Sequence, residues 1–296
     1  MMNWRVTACV VLLAAFVSPV KLPAADATGA KQIPDIEFAR ASEHRLMLDL
    51  SLPPRTDDGR KPPLIVWVHG GAWRSGSRKD VPLDGLVRRG FAVASVDYRL
   101  SPVARFPAQV HDIKAAVRFL RAREKEFGYG ATRIAVAGNS AGGHLAALVG
   151  VTNGNSELEG DVGQDRSQKS DVQAIVSLYG MSDLTTILAQ STPHGLEVRV
   201  PALQLLLGGQ PQDVPDLARL ASPVFHVDAT DPPLLLIHGD QDPQAPINQS
   251  HELQGRYEAL HLPHRFVVLH GSGHGGKFVD ETRSELMAAF LKEHLK

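Results

Sequence analysis

Cysteine is almost absent from the sequence. The 296 residues contain a single one, Cys9, and it lies in an N-terminal segment with the pattern of a secretory signal peptide. Once that segment is removed, the mature chain has no disulfide bond, no thiolate nucleophile and no cysteine-ligated metal site. A chain of this length buries enough apolar surface to fold outside the cytoplasm without disulfides.

An excess of either charge is also missing. The chain has 31 Lys and Arg against 32 Asp and Glu, and its formal net charge is −1. Because no basic cluster is present, the charge pattern argues against nucleic-acid and acidic-membrane partners. The chain contains no internal repeat and no low-complexity tract, and a single α/β domain of about 250 residues fits its length.

The N-terminus predicts export. "MMNWR" carries one positive charge, "VTACVVLLAAFV" is apolar, and Ala25-Asp26-Ala27 is a small-x-small cleavage pattern. These features predict a signal peptide over residues 1–27 and a periplasmic or extracellular mature domain over 28–296. The apolar run is too short to span a bilayer comfortably, which disfavours an uncleaved anchor. A lipoprotein is disfavoured because Cys9 precedes most of the run.

Short apolar runs alternate with helical patterns along the mature chain. Predicted strands cover residues 64–70, 91–98, 133–138, 172–180, 233–240 and 265–271, and predicted helices cover 108–128, the segment from Ser140 and the C-terminus from Glu281. Runs apolar throughout indicate strands covered on both faces, and the alternation indicates βαβ units of a mostly parallel sheet. Residues 152–171 are a predicted surface excursion, and 182–232 a small cap insertion.

The segment "GNSAGG" connects a predicted strand to a predicted helix. Gly138-Asn139-Ser140-Ala141-Gly142 fits G-x-S-x-G in the strand–turn–helix setting of a nucleophile elbow. A tight turn with a capping serine is the alternative. The helix N-terminus would direct N–H groups and partial positive charge at the site.

A serine hydroxyl needs an adjacent base to act as a nucleophile at neutral pH. Two later strands end in suitable residues: "HGDQDPQAP" offers Asp240 and Asp242, and "GSGHGG" offers His274 between two glycines. The order serine, acid, histidine is that of the hydrolases that carry this elbow. The other histidines, among them His69, His144 and His238, are interpreted as packed or solvated.

The loop "HGGAWRSG" follows the first long apolar strand. It is of the H-G-G-x type that supplies backbone N–H groups to a developing oxyanion. We expect Gly71 and Ala72 to provide two donors and Ala141 a third. Trp73 and Tyr179 lie near strand ends and are candidates for lining the substrate pocket.

Together, these motifs resemble the α/β-hydrolase superfamily over roughly residues 36–294. Within it the chain is similar to the acetyl-esterase/lipase group related to hormone-sensitive lipase, and most similar to BD-FAE-like bacterial esterases. The resemblance is carried by "VHGGAW", "VDYRLSPVARFPAQVHDIKAAVRFLR", "GNSAGGHLAAL", "ELEGDVG", "ASPVFHV", "PPLLLIHGDQDPQAPINQS" and "GSGHGG".

The resemblance implies Ser140 as nucleophile, Asp242 rather than Asp240 as the acid, and His274 as the base. It implies no metal and no organic cofactor. The sequence departs from the hormone-sensitive-lipase pattern at Ala72, where that group usually has glycine, and at Asn139, where it often has aspartate. Both variants fit the esterase subgroup, in which Ala245 replaces a frequent valine.

The predicted function is that of an exported serine carboxylesterase, acting on short-acyl or aromatic-acid esters such as those on plant polysaccharides. A lipase is the first alternative, because "PALQLLLGG" in the insertion is apolar. A serine peptidase would need a gating domain for which the chain has no room. A non-catalytic binding protein is disfavoured because all three candidate catalytic residues are present. No nucleic-acid partner and no stable membrane insertion after processing are expected; the sequence predicts no oligomeric state.

Overall fold

The structure is a computed structural model of the chain. The structure describes residues 29–55, 59–275 and 278–295. The predicted signal peptide, with Cys9 and the cleavage pattern, lies outside the described residues.

One eight-stranded sheet organises the described chain. Its strands are Lys31–Ala41 (β1), His44–Leu52 (β2), Pro63–Val68 (β3), Ala92–Val96 (β4), Gly130–Asn139 (β5), Ala174–Leu178 (β6), Leu234–Gly239 (β7) and His264–Leu269 (β8). They lie in the order β1-β2-β4-β3-β5-β6-β7-β8. β3 to β8 run parallel, whereas β1 and β2 are antiparallel to their neighbours. The predicted mostly parallel sheet is confirmed.

Helices cover both faces of this sheet. They span Asp84–Val87 (α1), Ala108–Ala122 (α2), Glu124–Phe127 (α3), Ala141–Gly150 (α4), Ile187–Gln190 (α5), Pro193–Leu207 (α6), Pro215–Leu220 (α7), Asn248–Ala259 (α8) and Glu281–His294 (α9), with a 3-10 helix at Pro223–Phe225. Alternate residues of β3 enter opposite cores: Leu64 and Val66 pack with α2 and α4, and Ile65 with α1 and α9. This two-sided burial explains why the parallel strands are apolar at every position.

The antiparallel hairpin of β1 and β2 was not among the predicted strands. β1 mixes buried residues such as Phe38 with exposed ones such as Arg40. Polar and charged residues therefore interrupt the apolar pattern that marks the central strands. The hairpin extends the sheet at the edge opposite β8.

The segment between β6 and β7 carries α5, α6, α7 and the 3-10 helix, all within the range predicted for the cap insertion. The hydroxyl of Thr192 caps α6 by accepting a hydrogen bond from the Gly195 N–H, and it donates one to the Pro243 carbonyl. This pair of bonds ties the start of α6 to the loop after β7. Among the described residues, no helix combines the length and apolarity needed to cross a membrane.

Candidate active site

Ser140 occupies the sharp junction between β5 and α4. Its backbone has φ 52° and ψ −120°, a left-handed conformation that side chains other than glycine adopt at a cost. The turn also brings α4 close to β3. A Cβ atom on Gly142 would lie 2.0 Å from the Val68 carbonyl oxygen, so this close approach requires glycine. The Ser140 N–H donates to the Leu178 carbonyl, 2.9 Å away. These contacts fix the serine at the carboxyl end of the sheet. Its hydroxyl partner comes from a residue that lies 134 positions later in the sequence.

That partner is His274, in the loop after β8. Its Nε2 lies 2.9 Å from Ser140 Oγ, and its Nδ1 lies 2.7 Å from Asp242 Oδ2. Since a carboxylate only accepts, Nδ1 carries the hydrogen, and Nε2 of the neutral ring accepts from the serine hydroxyl. The structure thus brings together the serine, histidine and aspartate that the sequence analysis selected.

Asp242 has other hydrogen-bond partners in addition to His274. Its Oδ1 accepts the N–H groups of Gln244 and Ala245, each at 2.8 Å, and its Oδ2 also lies 3.3 Å from Nε2 of His238. Burial opposes ionisation of this carboxyl, but the hydrogen bonds from His238 and His274 outweigh it and hold the pKa of Asp242 well below its ordinary value. The group is therefore a carboxylate at neutral pH.

His238 is fully buried at the end of β7. Its Nε2 lies 2.9 Å from the Ala245 carbonyl oxygen and its Nδ1 lies 2.7 Å from Ser250 Oγ. Because the carbonyl and the nearby carboxylate of Asp242 both only accept, Nε2 carries the hydrogen. The expectation that His238 is packed is correct, and the structure adds that it faces the acid.

Asp240 forms a second histidine pair. Its Oδ2 lies 2.8 Å from Nδ1 of His270, and its Oδ1 accepts the Gly271 N–H at 2.7 Å. Both side chains are solvent-accessible, with 86% of His270 exposed. Asp240 therefore joins the loops after β7 and β8 and makes no contact with His274 or Ser140.

The predicted oxyanion loop passes beside Ser140. Gly71, Ala72 and Trp73 all have positive φ, and a Cβ on Gly71 would lie 2.1 Å from the Ser75 carbonyl oxygen. Within the described residues, the N–H groups of Gly71, Ala72 and Ala141 donate no hydrogen bond. The residues predicted as oxyanion donors thus border the serine with their N–H groups available.

The prediction that Trp73 lines the substrate pocket is wrong. Its side chain is fully buried, and its Nε1 donates to Nδ1 of His144 at 3.1 Å. His144 Nε2 in turn donates to the Ala221 carbonyl at 2.7 Å. Burial lowers the pKa of His144 to about 4, so the ring is neutral. The loop's left-handed turn directs the indole into the protein, where it supports the loop from below.

Two cavities adjoin at the site, where Gly71, Asn139 and Tyr179 border both of them. The cap-side cavity, of about 290 Å³, is bordered by Ser140 and His274 and by residues Ala72, Arg74, Arg199 and Gln244. The strand-side cavity, of about 630 Å³, is bordered by Trp67, Val81, Phe278 and Tyr179. Tyr179, predicted to line the pocket, borders both; its ring packs edge-on against His274, with centroids 4.8 Å apart.

Arg199 of α6 is a site residue that the sequence analysis missed. It is a single arginine within an apolar helical segment, and no motif marks it. Only the fold brings this part of the insertion back over the loop after β7, where Arg199 Nε donates to the Gln244 carbonyl at 3.1 Å.

The comparisons with known proteins agree with this architecture. The BD-FAE family model matches residues 48–257. Esterase LipC of Mycobacterium tuberculosis is 35% identical over 251 residues, which cover 81% of this chain and 60% of LipC. The chain therefore spans little more than half the length of that relative.

Two solved structures are similar as well. A truncated form of a carbohydrate esterase from gut microbiota superimposes with a TM-score of 0.81 at 31% identity, covering 93% of this chain and 99% of that one. A bifunctional GH43-CE protein of Bacteroides eggerthii gives a TM-score of 0.79 at 33% identity, covering 90% and 38%. With its elbow, parallel sheet and family match, the chain belongs to the BD-FAE family of the α/β-hydrolase superfamily.

Proposed function

We propose that the protein is a serine carboxylesterase with Ser140 as nucleophile, His274 as base and Asp242 as acid. The observation that carries this proposal is the continuous line of hydrogen bonds from Ser140 Oγ through the imidazole to Asp242. The names of the relatives support it, since Esterase LipC and the carbohydrate esterase structure are both described as esterases.

In the first step, Ser140 Oγ attacks the ester carbonyl carbon while Nε2 of His274 takes its proton. The imidazolium that forms is stabilised by the Asp242 carboxylate at Nδ1. His274 then gives its proton to the departing alcohol oxygen, which leaves an acyl group on Ser140.

The carbonyl oxygen becomes negatively charged during the attack. The N–H groups of Gly71, Ala72 and Ala141 would stabilise it, and losing one such donor costs about 3 kcal/mol of transition-state stabilisation in comparable sites. Since Trp73 lies buried beneath the loop, these N–H groups are fixed before the substrate binds. Water activated by His274 completes the reaction by hydrolysing the acyl-enzyme.

We propose short-acyl or aromatic-acid esters, including polysaccharide-linked ones, as substrates. The strand-side cavity, which Val81, Pro82 and Phe278 border together with Asp80, offers partly apolar surface for such an acyl group. The similarity to a carbohydrate esterase supports a sugar-linked alcohol. Export through the N-terminal signal peptide would place the enzyme where such substrates occur.

A lipase on longer glycerol esters is less well supported. Its main argument was the apolar segment 201–209. In the structure Leu203, Leu206 and Leu207 of that segment are buried in the core, and Leu205 is its one exposed leucine, so the segment presents little apolar surface to a lipid. A comparison of acyl esters from acetate to long chains, with methyl ferulate and acetylated xylan, tests the substrate class.

The catalytic assignment is tested by Ser140→Ala. We expect kcat for 4-nitrophenyl acetate to fall by about 10⁶-fold, as for other serine hydrolases that lose their nucleophile. Labelling by a fluorophosphonate probe should also disappear while the thermal unfolding midpoint is retained. The exposed Ser156→Ala variant is the control. Substantial activity in folded Ser140→Ala would refute the assignment.

A further inference from the structure

Arg199 is a buried cation that forms no ion pair with any acid of residues 29–55, 59–275 and 278–295. Only 1% of the residue is exposed, and its guanidinium carbon lies 5.9 Å from the centre of the Trp73 ring. Nε is satisfied by the Gln244 carbonyl, but Nη1 has no hydrogen-bond partner among the described residues. A buried guanidinium left in this state costs free energy, because it has lost water without gaining an acceptor.

Other buried or partly buried cations of this protein pair with carboxylates. Arg118 and Lys114 both contact the Glu159 carboxylate. Arg99 makes a 2.7 Å ion pair with Asp112. In the described part of the chain no such pair compensates Arg199, so this arginine departs from the arrangement that the fold uses elsewhere.

A second cation, Arg74, borders the same cap-side cavity as Arg199. The acid whose charge acts on Arg199 is Asp242, and its carboxylate is engaged by His274 and by two backbone N–H groups. Burial lowers the pKa of Arg199 to about 10, with Arg74 acting in the same direction and Asp242 opposing it, so the side chain is charged at neutral pH. Arg199 therefore has an unpaired Nη1 and shares the cap-side cavity with a second cation, Arg74.

The cavity is also the one that holds the departing group. His274, which protonates the leaving alcohol in the proposed reaction, borders the cap-side cavity, whereas the apolar strand-side cavity is bordered by Trp67, Val81 and Phe278. An ester on Ser140 then places its acyl half in the strand-side cavity and its alcohol half beneath α6. Groups on the alcohol half are the ones that approach Arg199.

We propose that Arg199 is a specificity-determining residue that binds a carboxylate on the alcohol half of the substrate, so that the preferred substrates are acylated hydroxy acids, such as acylated acidic sugars. This inference rests on the proposed esterase function. A carboxylate suits the site because it supplies both the missing acceptor and the missing negative charge, and guanidinium–carboxylate hydrogen bonds are among the strong ones.

A matched pair of esters tests the proposal on the wild-type protein. The pair is 4-acetoxybenzoate and methyl 4-acetoxybenzoate, with release of the phenol as the readout. We expect kcat/KM for the anionic ester to exceed that for its methyl ester by about tenfold or more, the range of one hydrogen bond to a charged group. Hydrolysis of the neutral ester reports on the esterase function independently of this preference.

A second pair places the carboxylate on the acyl half: 4-nitrophenyl hydrogen glutarate and methyl 4-nitrophenyl glutarate, each corrected for its nonenzymatic rate. We expect no preference for the anion in this pair. If the anion is preferred only in this second pair, the proposed placement of the carboxylate is wrong. Equal rates within both pairs would overturn the proposal as a whole.

Variants assign the preference to the residue. Arg199→Met removes the charge at similar length and should abolish the preference for 4-acetoxybenzoate over its methyl ester, because the ratio of the two rates is independent of any loss common to both esters. Arg199→Lys should retain part of it. The control is Arg219→Met, which removes a cation from α7 that lies over Phe225, outside the cap-side cavity; it should leave the preference unchanged.

Protein folding is checked by thermal unfolding and by fluorophosphonate labelling of Ser140. If Arg199→Met does not fold, Arg199→Lys and the wild-type rate ratio carry the test. Equal losses for both esters of the first pair in a folded, labelled Arg199→Met variant would show a purely structural role and refute the proposal.

Discussion

Two histidine–aspartate pairs join the loops after β7 and β8. In each, Nδ1 of the histidine faces Oδ2 of the aspartate, at 2.8 Å in the pair of His270 and Asp240 and at 2.7 Å in the pair of His274 and Asp242. The first pair is solvent-accessible, with His270 86% exposed, whereas only 11% of the His274 side chain is exposed and the Asp242 side chain is fully buried.

The comparison shows that the pair geometry does not by itself make a catalytic site. The inner pair differs by its third member, since Nε2 of His274 meets Ser140 Oγ, and by the buried donors on Asp242. In water, the outer pair is screened and contributes little. We therefore expect variants of the two pairs to have very different effects on activity and similar, small effects on loop structure.

Replacing the histidines gives the largest expected contrast. His274→Ala removes the base and should lower kcat for 4-nitrophenyl acetate by about 10⁶-fold, as in other serine hydrolases. His270→Ala should change kcat less than about threefold, because His270 touches no reacting group. Steady-state kinetics of the two purified variants measure the difference. Comparable losses in both would show that the outer pair takes part in the reaction.

Replacing the acids gives the next contrast. Asp242→Asn leaves the shape of the side chain but allows its amide to impose the wrong tautomer on His274, and kcat should fall by about 10⁴-fold. Asp240→Asn should retain most of the activity. Burst kinetics with 4-nitrophenyl acetate can locate the lost step. If Asp240→Asn is as inactive as Asp242→Asn, the claim that only the pair of His274 and Asp242 is catalytic is wrong.

A third histidine, His144, sharpens the comparison because it is buried and pairs with no carboxylate in the described part of the chain. Its pKa is lowered to about 4 by burial, against an ordinary value of 6.5. Between these pH values the unfolded chain binds more protons than the folded one, so the free energy of unfolding falls as the pH drops from 6.5 towards 4. The full difference corresponds to about 3 kcal/mol.

His144→Gln can keep both hydrogen bonds, from Trp73 and to Ala221, without titrating. We expect its stability, measured by denaturant unfolding at several pH values, to fall less steeply than that of the wild type between pH 6.5 and 4. Burial also lowers the pKa of His69, His111 and His226. They affect both proteins equally, so the difference between the two curves is the relevant quantity. Identical slopes would mean that folding does not lower the pKa of His144.

Much of this architecture could be predicted from sequence because its signals are local. Apolar runs predicted β3 to β8, and glycine-flanked residues predicted the loops that carry Ser140 and His274. The choice between Asp240 and Asp242 was different. Both follow the same strand two residues apart, and the contacts that distinguish them, with His270 or His274 and with the N–H groups of the turn, form only in the folded chain. The resemblance, rather than the local pattern, selected Asp242.

The remaining features depend on contacts between distant segments. Trp73 was misplaced because its sequence position near a strand end does not reveal the left-handed turn that directs the ring inward. Arg199 was missed because α6 meets the loop after β7 only in the folded chain, through contacts with Pro243 and Gln244. The β1–β2 hairpin was missed because charged residues mask its half-buried pattern.

The position of His274 after an edge strand has a consequence for inactivation. Among the described strands, β8 pairs only with β7, and its residues are mostly half-exposed, whereas Ser140 follows the fully flanked strand β5. Edge strands open at lower free energy than the core of a sheet. Detachment of β8 would remove the base while the elbow remains intact. On heating, esterase activity should therefore disappear before the central sheet melts, and it should return on cooling as long as the centre has not unfolded.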